Sequence, residues 1–138
     1  MNTFPLHIVT PDGLFFDGEA ERLIVRTTAG DVAVMARHAN YVANLGMGTA
    51  VVVTPESRRR AACIGGMLAV TGGEARVIAT TFEWAEDIDI PRAEAALARA
   101  EEKLADGQLT DDERRLAEAA RRRATVRLAV AKRVVSEE

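Results

Sequence analysis

The chain has 138 residues, 48% of them apolar but only 4% aromatic, and a formal net charge of -3. That length allows one domain, or a domain with an appendage, whose core is filled by Val, Leu, Ile and Ala. The charge is too near neutral for nucleic-acid or membrane affinity by bulk charge. The single cysteine, Cys63, excludes an internal disulfide framework and fits a reducing compartment.

No apolar run is long enough to span a bilayer, and the N-terminus lacks the basic-then-apolar order of a signal peptide. The expected location is the cytoplasm.

The first half reads as short strands. Leu6, Ile8 and Val9 lie in a segment stopped by the turn signal Pro11-Asp12-Gly13. Leu14–Phe16 follows and ends at Asp17-Gly18. Arg22–Arg26 reads as a strand ending at Ala29-Gly30-Asp31, and Val32–Met35 as another. Ala50–Val53 runs into Pro55-Glu56-Ser57, and Ala61–Ile64 returns. Met67–Val70, a Gly72-Gly73 turn and Ala75–Ala79 form a further hairpin. Many short strands with frequent turns predict an antiparallel β-sandwich or flattened barrel.

The period changes sharply near Ala85. Ile90, Ala93, Leu97, Ala100 and Leu104 advance by three and four, one helical stripe. Asp89 is placed to cap this helix, and Pro91 sits in its first turn, where a missing N–H costs little. Gly107 is read as its left-handed cap. Thr110-Asp111-Asp112-Glu113 has capping-box spacing and opens a second helix. Its stripe is Leu116, Ala119, Ala120, Ala124, Leu128 and Ala131. The short turn implies an antiparallel hairpin. An alanine seam buries few methylenes, at about 0.8 kcal/mol each, so such a hairpin docks weakly and is a candidate for movement. A hairpin packed permanently is the alternative. The predicted class is α+β, with a β-domain over 1–86 and a helical hairpin over 87–138.

The second helix is strongly basic: Arg114, Arg115, Arg121, Arg122, Arg123, Arg127, Lys132 and Arg133 stand against Glu118. A basic face complements a neighbouring helix, an acidic partner or a phosphate, and otherwise is simply solvated. Two histidines and one cysteine show no metal-ligand spacing, and neither a GxSxG elbow nor a Walker loop occurs. Gly65-Gly66 and Gly72-Gly73 read as bulges or turns, and Cys63 as a small apolar group in a strand. An enzyme acting alone is disfavoured.

Several segments in order resemble the epsilon subunits of bacterial F-type ATP synthases. Leu6–Pro11 resembles the family's opening strand and Phe16-Asp17-Gly18-Glu19 its F-x-G-x turn. Ala29–Val34 stands where the family has a G-E-L-G-I-like stretch. His38-Ala39 matches the pair inside the P-G-H-A-P loop, and Gly65–Val70 the G-G-x-L-x-V strand. Ile88, Asp89, Arg92 and Ala93 match an I-D-x-x-R-A motif. Two departures stand out: Arg37 replaces the loop glycine and Asn40 its second proline, and Ile64 replaces the serine before the double glycine.

The resemblance implies a non-catalytic rotor subunit at the cytoplasmic face of the bacterial inner membrane, membrane-associated only through the complex. Its β-domain would bind the gamma subunit and the c-ring, with Asp31, Arg37 and His38 at the rotor interface. Its hairpin would extend toward the catalytic alpha and beta subunits and restrain hydrolysis. No cofactor is required. The second reading, an ATP-sensing module, makes ATP a regulatory ligand of Ile88, Asp89, Arg92 and Ala93. Glu83, Arg99, Arg123 and Arg127 join that set by position and spacing. A lone β-domain of other function is a third reading. No nucleic acid is expected as a partner.

Overall fold

The structure, a computed structural model, describes residues 2–132. Arg133, counted above with the basic helix, and the rest of the hairpin's predicted span to residue 138 lie outside the described residues. The chain forms two compact units that divide between Trp84 and Ala85.

The first unit is a β-sandwich built from one hydrogen-bonded sheet folded on itself. Its strands are β1 (Phe4–Thr10), β2 (Gly13–Ala20), β3 (Arg22–Thr27), β4 (Gly30–Val34), β5 (Tyr41–Val53), β6 (Arg58–Thr71) and β7 (Glu74–Trp84). Their order is β2-β1-β7-β6-β5-β3-β4. Neighbours run antiparallel except β1 and β7, which pair in parallel over Leu6–Val9.

The sheet folds because its three long strands each change the side they turn inward. On β5 the core takes Leu45, then Ala50 and Val52; on β6 Ala61 and Cys63, then Leu68 and Val70. On β7 it takes Ala75, Val77 and Ala79, then Phe82 and Trp84. Side chains alternate across a strand with period two, so an odd-to-even switch marks a local break in the pleat. Glycines sit at the break. Gly66 has φ 119°, and a Cβ there would lie 2.1 Å from the Ile78 carbonyl oxygen. A Cβ on Gly48 would lie 2.6 Å from Arg26 Cβ. Only residues without a side chain allow the strands to approach this closely. Phe15, Phe16, Val32 and Tyr41 close the core's margin, and Phe82 meets Phe15 and Trp84 edge-on.

This break explains where the sequence reading fell short. Ala61–Ile64 and Met67–Val70 are one strand, because a glycine pair with positive φ interrupts the pattern without ending the hydrogen bonding. Ala50–Val53 is the end of a strand that begins at Tyr41, whose first half the mixed polarity and glycines conceal. β2 runs on to Ala20 and does not stop at Asp17-Gly18; β4 stops at Val34, leaving Met35 outside it. Gly72-Gly73 makes the two-residue turn between β6 and β7.

The second unit opens with a 3₁₀ turn, Ala85–Asp87, followed by α1 (Ile90–Leu104) and α2 (Asp111–Lys132). Asp89 caps α1: its Oδ1 accepts from the Arg92 backbone N–H at 3.1 Å, with Pro91 in the first turn. Thr110 and Glu113 form a reciprocal capping box, with bonds of 2.9 and 3.1 Å. The expected Gly107 cap is absent. α1 ends at Ala105 in right-handed conformation, its N–H shared between the Glu101 and Glu102 carbonyls, and Asp106 turns the chain by accepting from Gln108 N–H. The last turn tightens, so no left-handed residue is needed.

The helices pack antiparallel. Lys132 Nζ at the end of α2 meets Glu94 Oε2 near the start of α1 at 2.9 Å. In that register the buried Ala93 stands level with Ala131, and Ala100 with Ala124. Leu116, assigned above to the second stripe, is 72% exposed; Ala117 is buried instead, and Ala119 and Ala120 are half-buried. Ala117, Ala124 and Ala131 recur every seven residues, and a leucine side chain would hold the helices apart where alanine lets them close.

Candidate functional site

Two surfaces stand out, one of which the sequence did not single out. The first is the outer face of the sheet near its β1–β7 pairing. There the core takes odd residues of β7 and even residues of β6, so Ile78 and Met67 point outward as direct cross-strand partners. Val42 of β5 pairs with Ala69, two residues from Met67, and Val9 of β1 pairs with Ile78. Val42, Met67 and Ile78 are 64%, 42% and 48% exposed. Three adjacent exposed apolar side chains on one sheet face form a patch, and such patches mark association sites. Spacing alone did not reveal it, since which parity faces outward depends on the pleat break. The periodicity that could have shown it is visible only once β5, β6 and β7 are aligned.

The loop residues are arranged differently. Met35–His38 is a tight turn closed by His38 N–H to the Met35 carbonyl at 3.2 Å. Arg37 holds its third position with φ 66°, the left-handed conformation that favours glycine. The side chain departs from the family pattern; the backbone keeps glycine's shape. His38 is held by its own neighbourhood: Nδ1 lies 2.7 Å from the Ala39 carbonyl, and the ring meets Tyr41 edge-on. Asn40 Oδ1 accepts from Gly72 N–H at 3.0 Å and ties the loop to the β6–β7 turn. Arg37 and His38 thus share one turn. Asp31 belongs to the β3–β4 hairpin, where it pairs with Arg26 at 2.9 Å.

The second surface is a flank of the hairpin. A helix turns about 100° per residue. Arg92 and Arg99 each precede a buried alanine, Ala93 and Ala100; Arg123 precedes Ala124, and Arg127 follows it by three. In an antiparallel pair these offsets all fall on one side of the seam. The opposite offset holds Glu94 and Lys132, whose ion pair spans the other side. The four arginines therefore line one flank, although they come from two helices. Arg127 lies within about 3 Å of Arg99's level, and Arg92 about 10 Å from Arg99 along the axis. Ile88 is buried at the hairpin's base and Ala93 in its seam, so these two motif residues shape the hairpin. Asp89 serves as the helix cap, and a carboxylate has capacity left for another donor. Glu83 lies in the first unit, on β7 opposite Ala62.

Remaining chemistry is sparse. Among the described residues no group of three or more His, Cys, Asp or Glu could hold a metal ion, and no helix is long and apolar enough to cross a membrane. Cys63 is buried in the core, and burial pushes its thiol up to about 12, so it stays neutral and inert.

Residues 3–85 match the beta-sandwich domain of the ATP synthase delta/epsilon chain, and residues 86–132 match that chain's long alpha-helix domain. The chain belongs to the ATP synthase epsilon-chain family. It is 37% identical to the ATP synthase epsilon chain of Ruminococcus albus over 132 residues, 95% of this chain and 98% of that one. It is 43% identical to that of Alkaliphilus oremlandii over 107 residues, 78% and 80% of the two chains. It is 32% identical over 105 residues, 75% and 79% of the two chains, to the sodium-ion-specific epsilon chain of Acetobacterium woodii. The fold also matches a chain of the Euglena gracilis mitochondrial ATP synthase structure (OSCP, F1 and c-ring) at a TM-score of 0.82 and 20% identity, covering 94% of this chain and 81% of that one. A chain of the Tetrahymena thermophila central stalk and c-ring matches at 0.63 and 10%, covering 93% and 96%. The family's members are non-catalytic subunits of the synthase.

Proposed function

We propose that this epsilon-family chain is a rotor subunit that couples the gamma subunit to the c-ring and restrains ATP hydrolysis through its hairpin. It would work at the cytoplasmic face of a bacterial inner membrane. The observation that carries this reading is the exposed Val42–Met67–Ile78 patch on the outer face of the sheet. Torque passes between subunits only through a packed, desolvated contact, and three adjacent apolar side chains on a seven-stranded scaffold supply one for gamma. The Met35–His38 turn and Asp31 are the surface we assign to the c-ring. The test is co-expression with gamma. A stable complex is expected, and Val42→Asp with Ile78→Asp should abolish it while leaving the isolated chain folded. Failure of two folded partners to associate overturns the proposal.

The arginine flank favours a second, compatible role, ATP sensing. Guanidinium forks bind phosphate oxygens bidentately, and the offsets of Arg92, Arg99, Arg123 and Arg127 from the seam alanines gather four of them on one flank. Calorimetry on the full chain at millimolar ATP should show binding that Arg92→Ala and Arg99→Ala each weaken. The absence of heat, or binding indifferent to both substitutions, removes this site.

A further inference from the structure

Three strands meet at His7. It stands on β1 directly opposite Asp17 of β2 and in register with Arg76 of β7. Its Nδ1 lies 3.0 Å from Asp17 Oδ1 and its Nε2 lies 2.9 Å from Glu74 Oε2. Arg76 Nη2 lies 3.8 Å from the same Glu74 oxygen. Glu19, two residues along β2, accepts from the Thr3 hydroxyl at 2.8 Å. The charged groups facing the ring are thus Asp17 and Glu19 from β2, and Glu74 and Arg76 from β7.

A neutral imidazole has one N–H and one lone pair, and an ionised carboxylate only accepts. With a carboxylate oxygen at hydrogen-bond distance from each nitrogen, the neutral ring sets its lone pair against one of them. The imidazolium donates to both. We infer that His7 is a proton-dependent clamp that fastens the edge strand β2 to β7 across β1. Its place in the fold gives the clamp leverage. β2 ends the sheet and has a single neighbour, and β1 joins β7 over only a short parallel register. The cluster also borders the apolar patch, because Arg76 pairs with Ala69 and Ala69 with Val42. Resting on the gamma-binding reading, the clamp's charge lies on the rim of the partner face. Removing the ring proton leaves one bond and takes a positive charge from between two carboxylates. Acid removes the carboxylate charges instead. The clamp is therefore tightest with the ring doubly protonated and both carboxylates ionised.

NMR on the full chain alone tests this, so its outcome does not depend on partner binding. Ring nitrogens of His7 are followed from about pH 3.5 to 9, with His38→Gln used to assign the second histidine, and β2 amide exchange is corrected for the intrinsic rate. Both His7 nitrogens should be protonated where β2 is best protected. β2 exchange should accelerate about three- to tenfold as the His7 ring loses its second proton, while the β3–β5 amides keep their protection. His7→Gln should exchange at the faster rate without that step; Asp17→Asn and Glu74→Gln should each reproduce part of the loosening. A ring with one unprotonated nitrogen under the protecting condition overturns the clamp. So does β2 protection unchanged in all three variants.

Discussion

Arg37 occupies a backbone conformation that costs an L-residue about 1–2 kcal/mol and glycine almost nothing. Glycine's extra freedom in the unfolded chain returns roughly half to all of that. Arg37→Gly should therefore stabilise the β-unit by up to about 1 kcal/mol in chemical denaturation, with any loss of assembly then assignable to the missing guanidinium. Gly66 is the opposite case. Gly66→Ala combines a positive φ with a backbone oxygen 2.1 Å from the new Cβ, and should destabilise the unit by about 2–4 kcal/mol, seen as a large fall in Tm. Cys63 links packing to pH. Its thiol moves from 9.0 to about 12 on burial, so above about pH 9 the unfolded chain loses a proton that the folded chain keeps. Stability then falls with rising pH, at most about 1.4 kcal/mol per unit. Comparison with Cys63→Ala across pH 8–10, where that slope should vanish, measures the term.

The hairpin's fate depends on its small residues. Both its start signals were legible, because a cap needs only the right side chain at the right offset: Asp89 bonds to Arg92 N–H, and Thr110 to Glu113 N–H. Thr110→Ala should cost about 1 kcal/mol of hairpin stability, read as helix loss by circular dichroism on heating. The stripe of α2 was misjudged at Leu116. A hydrophobicity pattern favours leucine for the seam, whereas close antiparallel packing selects Ala117, Ala124 and Ala131. Ala124→Leu should accordingly wedge the helices and destabilise the hairpin by about 1–3 kcal/mol. The Glu94–Lys132 pair is half-exposed on both sides, and a double-mutant cycle should return no more than about 0.2–1 kcal/mol.

In the assembled complex, the two units make separable predictions. Deleting the chain from Ile88 onward should raise ATP hydrolysis by the complex while assembly persists, because the patch we assign to gamma lies wholly in the first unit. Unchanged hydrolysis would reduce the hairpin to an appendage. Bound ATP, if taken up by the arginine flank, stabilises the state that binds it by about 2.7 kcal/mol at a hundredfold excess over Kd. A rise in the hairpin's melting temperature with ATP, abolished by Arg99→Ala, is the expected readout.

The division into a β-part and a helical part was readable from the change of period near Ala85, since period two and period 3.6 are properties of the local backbone. So were the two N-terminal helix caps, though not the end of α1, which the sequence placed at Gly107; so too were the Gly72-Gly73 turn, the buried Cys63 and, through the order of its segments, the family. Arg92, Arg99, Arg123 and Arg127 were readable as candidates, because each pair shares a helix face at spacings of seven or four. Their common flank was not: it follows from the register of two helices, which Glu94, Lys132 and the seam alanines decide together. Nor was the outward direction of Val42, Met67 and Ile78, nor the meeting of His7 with Asp17 and Glu74. Those depend on which strands pair and where the pleat breaks at the glycines, long-range choices made by the packing of the whole sheet.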